Sequence, residues 1–238
     1  MPVFDFHTHT TISDGHADAL EMARRCQKNG YAAYVCSDHV DEGTVGGRVP
    51  EIVAACRRVA DELGLSAIPA VEVTRVAPER VARVAAKARS LGALLVVVHG
   101  ETLGDFPQPG LNLAATSCSD VDILGHPGLI TPQAAEQAQA RGIHLEISAA
   151  GLHGLTNGHV ARVALEVGAS LVLDSDAHRP ESLLTPERAQ QVLAGSGLSL
   201  EGVARVAQLA PLAVLARRGI ELAEEPGALA SRLPGDQG

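Results

Sequence analysis

The sequence predicts an α/β protein folded as a TIM-like barrel of seven β/α units. Short apolar runs alternate with segments of helical periodicity along nearly the whole chain, which is typical of parallel strands connected by helices. Several helical segments have proline near the first turn and glycine just after the last one. The length of 238 residues suits a single barrel of this kind.

The predicted elements follow one another in a regular order. Seven strands are predicted, at residues 3–9, 32–39, 66–73, 93–99, 122–126, 144–147 and 170–176. Helices are predicted at residues 17–27, 50–63, 78–91, 132–140, 159–167, 186–194 and 200–218. A polar stretch rich in Pro and Gly, residues 101–111, predicts a loop that leans over the site. We assign residues 1–222 to one barrel domain with its C-terminal helices and predict a flexible tail at residues 223–238.

The composition argues against several classes of function. The formal net charge is −9 and the aromatic content is 2%, which disfavours nucleic acid as a partner. No apolar run of about 18 residues predicts a membrane span, and the first residues do not resemble a signal peptide. The four cysteines are scattered without a C-x-x-C pair, as is typical of reduced thiols, so we expect a cytoplasmic location.

Histidines and carboxylates mark the C-terminal ends of nearly all the predicted strands, and one aspartate follows in the turn after the first strand. Residues two apart on a strand point to the same face, and the C-terminal ends of barrel strands meet at one rim. These side chains are therefore expected to converge on one site. They are His7, His9, Asp14, His39, Glu72, His99, His126, Asp176 and His178.

This set of donors predicts a metal centre. Imidazole and carboxylate groups suit zinc, manganese or iron, and nine candidates exceed the three or four protein ligands that one catalytic zinc ion takes. We therefore expect two or three divalent ions. His16 is an alternative to Asp14 as a ligand, whereas the positions of His144 and His159 favour structural roles.

At these residues the chain resembles the polymerase and histidinol phosphatase (PHP) family of metal-dependent phosphoesterases. The resemblance covers residues 3–180, and the family's fold is a distorted seven-stranded β/α barrel, in agreement with the seven predicted strands. The motifs that carry it are D-x-H-x-H-T with S-D-G (residues 5–15), S-D-H (37–39), E-V-T at Glu72, H-G at His99, G-H-P (125–127) and D-S-D-A-H (174–178).

The resemblance also implies how the ligands are shared among three metals. It implies a first metal on His7, His9, Glu72 and Asp176, a second on Glu72, His99 and His126, and a third on Asp14, His39 and His178. Glu72 would then bridge the first two metals. No ligand position of the family is missing, which implies an active site, and the family is known with zinc, manganese and iron.

The predicted function is hydrolysis of a phosphate ester by a metal-activated hydroxide. We favour a phosphomonoesterase that acts on a small phosphorylated metabolite, with histidinol phosphate as one candidate. The catalytic candidates are Glu72, Asp176, His178 and Arg179. The candidates for binding the substrate are Arg179, Arg48, Arg75 and His153.

Four further carboxylates are expected to support the metal ligands. Ligating histidines usually donate their second N–H to a carboxylate or a carbonyl, and Asp5, Asp38 and Asp174 are placed for this. Glu146, near the end of the sixth predicted strand, is a candidate for orienting a histidine or the substrate.

Three alternatives use the same features. A phosphodiesterase or a 3′-exonuclease-type activity on nucleotides needs the same metal constellation. An amidohydrolase that cleaves C–N bonds also has H-x-H after the first strand, but many such enzymes use a lysine after the fourth strand, and here Lys28 and Lys87 both fall on predicted helices. A metal-bound scaffold, or an RNA-binding subunit related to ribonuclease P proteins, would be expected to have lost ligands and to carry a basic surface.

Overall fold

A curved sheet of seven parallel strands forms the centre of the molecule in a computed structural model that describes residues 2–222. The sheet order is β1-β3-β4-β5-β6-β7, with β2 also paired to β3. This arrangement confirms the predicted distorted barrel, while the predicted tail at 223–238 lies outside the described residues. The strands are β1 Tyr34–Cys36, β2 His39–Val40, β3 Ala67–Val73, β4 Leu95–His99, β5 Ile123–Gly125, β6 His144–Ser148 and β7 Leu171–Asp174.

Helices lie between the strands along the chain and pack against the sheet and one another. A π-helical turn, Arg205–Leu209, joins the eighth helix to the ninth. Within residues 2–222 we find no helix with both the length and the apolar character that a bilayer crossing requires. The helices are α1 Ala19–Lys28, α2 Val45–Leu63, α3 Val81–Ser90, α4 Leu111–Ser117, α5 Pro132–Arg141, α6 Asn157–Val167, α7 Pro186–Gly195, α8 Leu200–Ala204 and α9 Ala210–Arg217.

The predicted first strand, residues 3–9, is not a regular strand in the structure. It meets its neighbours in isolated parallel bridges, Val3 with Tyr31 and Thr8 with Ala177. Because one neighbour precedes β1 and the other follows β7, this closing segment joins the two edges of the sheet. The prediction of a regular strand at residues 3–9 was wrong, although the segment occupies the place of a barrel strand. The sheet still has seven strands, because the second predicted strand is divided into two.

Side chains replace the usual strand ladder along the closing segment. The backbone N–H of Phe6 donates to the Asp174 carboxylate at 2.6 Å, and the N–H of Thr8 donates to the Ser37 hydroxyl at 2.8 Å. Asp174 is fully buried, so its carboxylate oxygen is available only to the chain around it. Backbone groups that are paired with side chains cannot also form a regular ladder, which explains the difference from the prediction.

Three other boundaries differ from the prediction. The second predicted strand is divided into β1 and β2, with Ser37 between them bonded to the closing segment. Helix α2 begins at Val45, so that Pro50 lies inside the helix and does not mark its start. The short helix α4 was not predicted, because its first residue ends the stretch that reads as a loop.

Apolar residues form one layer between sheet and helices and another inside the barrel. Strand β4 shows the alternation that this requires, since Val96 and Val98 belong to the outer layer and Leu95 and Val97 to the inner one. Helix α9 adds Val214 and other apolar side chains to the inner layer. The core is therefore aliphatic, as the low aromatic content requires.

A buried charged cluster lies at the N-terminal ends of the strands. Asp122, just before β5, is 1% exposed and is contacted by Arg89 of α3. Its Oδ1 also lies 2.5 Å from Arg217 Nη1 and 2.5 Å from Arg218 Nε, at the end of α9. The three guanidinium groups donate further hydrogen bonds to backbone carbonyls, including that of Ser119. We call these four charged residues the basal cluster; it fastens α9 to the barrel.

Candidate metal centre

The predicted ligands converge at the C-terminal rim of the barrel. Four groups of side chains there place ligand atoms within 4.8 Å of one another. Eight of the nine predicted ligands belong to these groups, and the ninth, His99, has its Nδ1 atom 3.0 Å from Glu72 Oε1. The groups are His9, Asp14, His39 and His178; His7, Glu72 and His126; His7, His9 and Asp176; and His126, His153 and Asp176.

Glu72 lies at the centre of the rim. It is fully buried in β3, and its Oε2 atom is 3.4 Å from His7 Nε2 and 3.7 Å from His9 Nε2. Its other oxygen, Oε1, is 3.0 Å from His99 Nδ1 and 3.5 Å from His126 Nε2. One carboxylate thus faces two pairs of histidines, which is the arrangement that a bridging ligand requires.

Asp176 approaches the same histidines from the other side of the barrel. Its Oδ1 atom is 3.1 Å from His9 Nε2 and 3.7 Å from His7 Nε2. The backbone of Asp176 has a φ of 52°, and that of His126 a φ of 27°, in the region that favours glycine. Such conformations cost about 1–3 kcal/mol each and cluster at functional sites.

Asp14 gathers the third, more exposed group of candidates. Its Oδ2 is 3.3 Å from His39 Nε2, and its Oδ1 is 3.4 Å from His178 Nε2. Gly15 lets this turn approach the site, because a Cβ atom there would lie 2.6 Å from the His9 backbone. His16, the alternative to Asp14, belongs to none of the four groups and donates its backbone N–H to the His178 carbonyl.

Of the four carboxylates expected to support the metal ligands, three bond to the backbone and to hydroxyl groups, and one contacts a histidine ring. Asp38 accepts hydrogen bonds from the backbone N–H and hydroxyl of Thr10, and so holds the turn that leads to Asp14. Asp5 accepts from Ser175 N–H, and Asp174 accepts from the closing segment, as described above. Neither they nor Asp38 has a hydrogen bond to a histidine ring within the described part of the chain.

Glu146 is the carboxylate that does contact a ligand ring. Its Oε2 atom lies 2.7 Å from His7 Nδ1, and both side chains are fully buried. Gly125 makes room for this pair, because a Cβ atom there would lie 3.3 Å from His7 and 3.4 Å from Glu146. The contact directs the other ring nitrogen of His7 towards Glu72 and Asp176.

The charges at the rim depend on one another. Burial opposes ionisation of Glu72, but the neighbouring His39 and His7 outweigh it and hold the Glu72 pKa well below its ordinary value. Burial likewise opposes protonation of His39, yet the carboxylates of Glu72 and Asp14 raise its pKa to about 10. Without other cations, the positive charge of His39 therefore helps to balance the carboxylates.

Many of the buried ligand atoms make no hydrogen bond of normal geometry in the described part of the chain, although several of them, such as His9 Nε2 and His39 Nδ1, lie close to a carboxylate. Buried polar atoms are almost always satisfied in folded proteins, so a concentration of exceptions indicates a ligand. The set of donors is also one that divalent transition metals prefer. The residues present therefore fit metal ions. The atoms concerned are His7 Nε2, both ring nitrogens of His9, His39 Nδ1, Glu72 Oε2, His99 Nε2 and His126 Nδ1.

The predicted substrate-binding arginines have different surroundings. Arg48 donates to the His39 carbonyl at 2.7 Å, and Arg75 Nη2 lies 3.7 Å from Asp14 Oδ2. Arg179 lines a cavity together with Asp176 and His178, and its guanidinium has no partner within residues 2–222. Of the three, only Arg179 is therefore free to bind a ligand in the present arrangement.

His153 and the loop before α4 cover one side of the rim. His153 Nε2 lies 3.6 Å from Asp176 Oδ2, and its Nδ1 atom is 2.6 Å from the Thr102 hydroxyl. In the same loop, Asp105 Oδ2 is 3.6 Å from His99 Nε2. The loop leans over the site, as predicted.

The predicted structural histidines belong to none of the four ligand groups. His144 is buried at the start of β6, and His159 Nε2 lies 2.8 Å from the carbonyl of Ile130. The four cysteines are all free and buried.

Comparison with known proteins relates the chain to a curated protein. No protein-family model matches the sequence. The chain is 37% identical over 201 residues to the uncharacterized protein MJ1295 of Methanocaldococcus jannaschii, covering 82% of this chain and 90% of that protein. The chain belongs to the MJ1295 family.

Solved structures share the fold of this MJ1295-family protein at low sequence identity. A chain of archaeal ribonuclease P, solved with mature tRNA, has a TM-score of 0.63 at 17% identity, covering 92% of this chain and 98% of that one. Histidinol phosphate phosphatase of Lactococcus lactis, solved with zinc, L-histidinol and phosphate, has a TM-score of 0.62 at 13% identity, covering 83% and 94%. N-acetyl-D-glucosamine-6-phosphate deacetylase of Mycobacterium smegmatis has a TM-score of 0.52 at 16% identity, covering 95% and 79%.

Proposed function

We propose that the protein is a PHP-type, metal-dependent phosphoesterase that hydrolyses phosphomonoesters of small metabolites. The observation that carries the proposal is Glu72, which is buried between two pairs of histidines. The nitrogens that His7 and His9 turn towards it make no hydrogen bond of normal geometry. The fold shared with a phosphatase solved with zinc and phosphate supports it. The sequence motifs given above, which resemble those of the PHP family, support the proposal independently of the fold.

The chain's own residues would hold two or three divalent ions. His7, His9, Glu72 and Asp176 form one set of ligands, Glu72 joins His99 and His126 in a second, and Asp14, His39 and His178 form a third. Ions of this kind, when bound, lower the pKa of a coordinated water to about 7 and stabilise negative charge on phosphoryl oxygens.

Arg179 and His153 are assigned to the substrate. The Arg179 guanidinium can donate two parallel hydrogen bonds to phosphate oxygens, a geometry that lysine does not offer. The Thr102 hydroxyl accepts from the Gly104 N–H, so its own proton is free to be donated to His153 Nδ1. That donation leaves the proton of the neutral ring on Nε2, which faces Asp176 and the cavity.

His153 stays neutral at neutral pH. Burial, reinforced by the nearby His126, lowers the pKa of His153 to about 4. A neutral ring with its proton on Nε2 is a hydrogen-bond donor to an ester or phosphate oxygen. We therefore assign it to positioning the substrate beside the metal centre.

The experiment is a comparison of two chromogenic esters, 4-nitrophenyl phosphate and bis(4-nitrophenyl) phosphate. Protein loaded separately with Mn²⁺, Zn²⁺ and Fe²⁺ is assayed beside protein treated with a chelator. The proposal expects monoester cleavage that the chelator abolishes. Preferential cleavage of the diester would favour the phosphodiesterase alternative, and cleavage of neither ester with any metal would overturn the proposal.

A further inference from the structure

Two cavities that share part of their lining lie between the metal centre and α7. The first, about 520 Å³, is lined by Asp176 and His178 at one end and by Arg188 at the other. The second, about 410 Å³, shares Arg188 and the backbone stretch 149–151 with the first. The first cavity is therefore bordered both by residues of the metal centre and by Arg188, which also borders the second cavity.

The outer cavity is supplied with free hydrogen-bond donors. Arg188 and Gln191 lie one turn apart on α7, and both line this second cavity. Neither side chain has a hydrogen-bond or ion-pair partner within the described residues. By contrast, Arg89 and Arg217, at the other end of the barrel, are fully engaged with Asp122 and backbone carbonyls. Two free donors at the far end of a cavity are placed to receive a polar group.

We infer that Arg188, with Gln191, binds a second anionic group of the substrate. This inference rests on the proposed function and deepens it: the scissile phosphate lies at the metal centre beside Arg179, and the distal group lies at Arg188. The substrate class is then a phosphate monoester whose body carries another phosphate or a carboxylate. Guanidinium groups are well suited to either of these groups.

The charge of the protein supports this assignment. The formal net charge of −9 repels a multiply charged anion at long range, so attraction must come from local groups. Two acidic residues line the first cavity, Asp176 at the metal centre and Glu181. Arg179 and Arg188 line it as well. Since Arg179 is assigned to the scissile phosphate, Arg188 is the arginine of this cavity that can bind the distal anion.

The test uses two synthetic esters that differ only at the far end, hexane-1,6-diol bisphosphate and 6-hydroxyhexyl phosphate. With Mn²⁺-loaded protein, kcat/KM for the bisphosphate is expected to exceed that for the monophosphate by about tenfold at low salt. The Arg188→Gln variant is expected to bring this ratio close to one, mainly by raising KM for the bisphosphate. The ratio should also shrink as salt is added.

A matched control removes one positive charge elsewhere. Arg141 is exposed at the end of α5, at the opposite end of the barrel, and has no partner within residues 2–222. The Arg141→Gln variant should keep the tenfold ratio, which distinguishes a local contact from a change of net charge. Equal rates for the two esters in the unmodified protein, or an unchanged ratio in Arg188→Gln, would overturn the inference while leaving the proposed phosphatase intact.

A binding measurement keeps the test decisive if neither ester is cleaved, a result that would count against the proposed function. Calorimetric titration of the Mn²⁺-loaded protein with hexane-1,6-bisphosphonate and with 6-hydroxyhexylphosphonate makes the same comparison of far ends without hydrolysis. Tighter binding of the bisphosphonate that is lost in Arg188→Gln supports the anion site on its own. Equal affinity for the two phosphonates overturns it.

Discussion

The two ends of the barrel each bury a cluster of charged side chains, but only one cluster is complete. At the basal cluster, Asp122 is contacted by three guanidinium groups, which use their remaining N–H groups on backbone carbonyls. At the rim, Glu72 and Asp176 face histidines, several of whose ring nitrogens make no hydrogen bond of normal geometry. Both clusters are buried, so burial of charge does not distinguish structure from function. The distinguishing property is whether the protein satisfies the cluster by itself.

The largest expected effect is at the rim. Replacing Glu72 with Gln removes the carboxylate that faces both histidine pairs, so kcat/KM for a phosphomonoester is expected to fall at least about a thousandfold. Metal content measured on the purified protein should fall with it, while the circular dichroism spectrum stays unchanged. Glu136→Gln, an exposed change on α5, is the charge-matched control and should retain full activity. Equal activity in the two variants would show that Glu72 is not part of the centre.

The next largest effect is at the basal cluster and concerns stability. Asp122→Asn leaves three arginines around a neutral side chain, and the free energy of unfolding is expected to fall by about 3 kcal/mol in urea titrations. Metal affinity at the rim should not change. Asp61→Asn, an exposed site on α2, should change stability by less than about 0.5 kcal/mol. A loss of metal affinity without loss of stability in Asp122→Asn would reverse the contrast between the two ends.

A smaller effect concerns pH and the basal end. Burial, with the positive charge of Arg217, lowers the pKa of His144 to about 4, although Asp122 acts in the opposite direction. Since the unfolded chain binds this proton near pH 6.5, the contribution of neutral His144 to stability is complete above that pH and is lost as the pH falls towards 4. The resulting loss in the free energy of unfolding is about 2 kcal/mol between pH 7 and pH 5.

The variant His144→Leu isolates this contribution. Urea titrations of the metal-free protein at several pH values should show a shallower loss of stability towards acid in the variant than in the unmodified protein. Parallel curves would mean that His144 titrates normally in the folded state.

The smallest effect tests the support of one ligand ring. Glu146→Gln weakens the contact with His7 Nδ1, and the dissociation constant for metal is expected to rise about tenfold. The measurement is a titration against a competing chelator. A dissociation constant within twofold of the original would mean that His7 is oriented by packing alone.

The sequence predicted the rim far better than the base. The rim residues are histidines and carboxylates at the ends of predicted strands. The topology of a barrel alone therefore predicts that His7, Glu72 and Asp176 lie close together. The basal cluster was missed, because the arginines around Asp122 are 33, 95 and 96 residues away along the chain. No local pattern in the sequence records such distant pairs.

The closing segment shows the same limit at the level of the backbone. Residues 3–9 have the composition of a strand, and they occupy the place of one. Whether a ladder forms depends on side chains of the neighbouring elements. Asp174 and Ser37 accept the backbone N–H groups of Phe6 and Thr8, which are then not available to a ladder. The role of Glu146 was likewise open until the structure placed it against His7.

The closing segment has a consequence for how the ring is held shut. It carries His7 and His9, and its bond to Asp174 spans 168 residues, so shutting the ring closes a long loop at a substantial cost in chain entropy. An ion bound by these histidines and Asp176 would act as a reversible cross-link between the two edges of the sheet. We then expect the backbone amides of residues 6–9 to exchange with deuterium more slowly in proportion to metal concentration, while amides of helix α5, which carries no candidate ligand, do not respond. The supply of metal would in this way set how long the barrel stays closed.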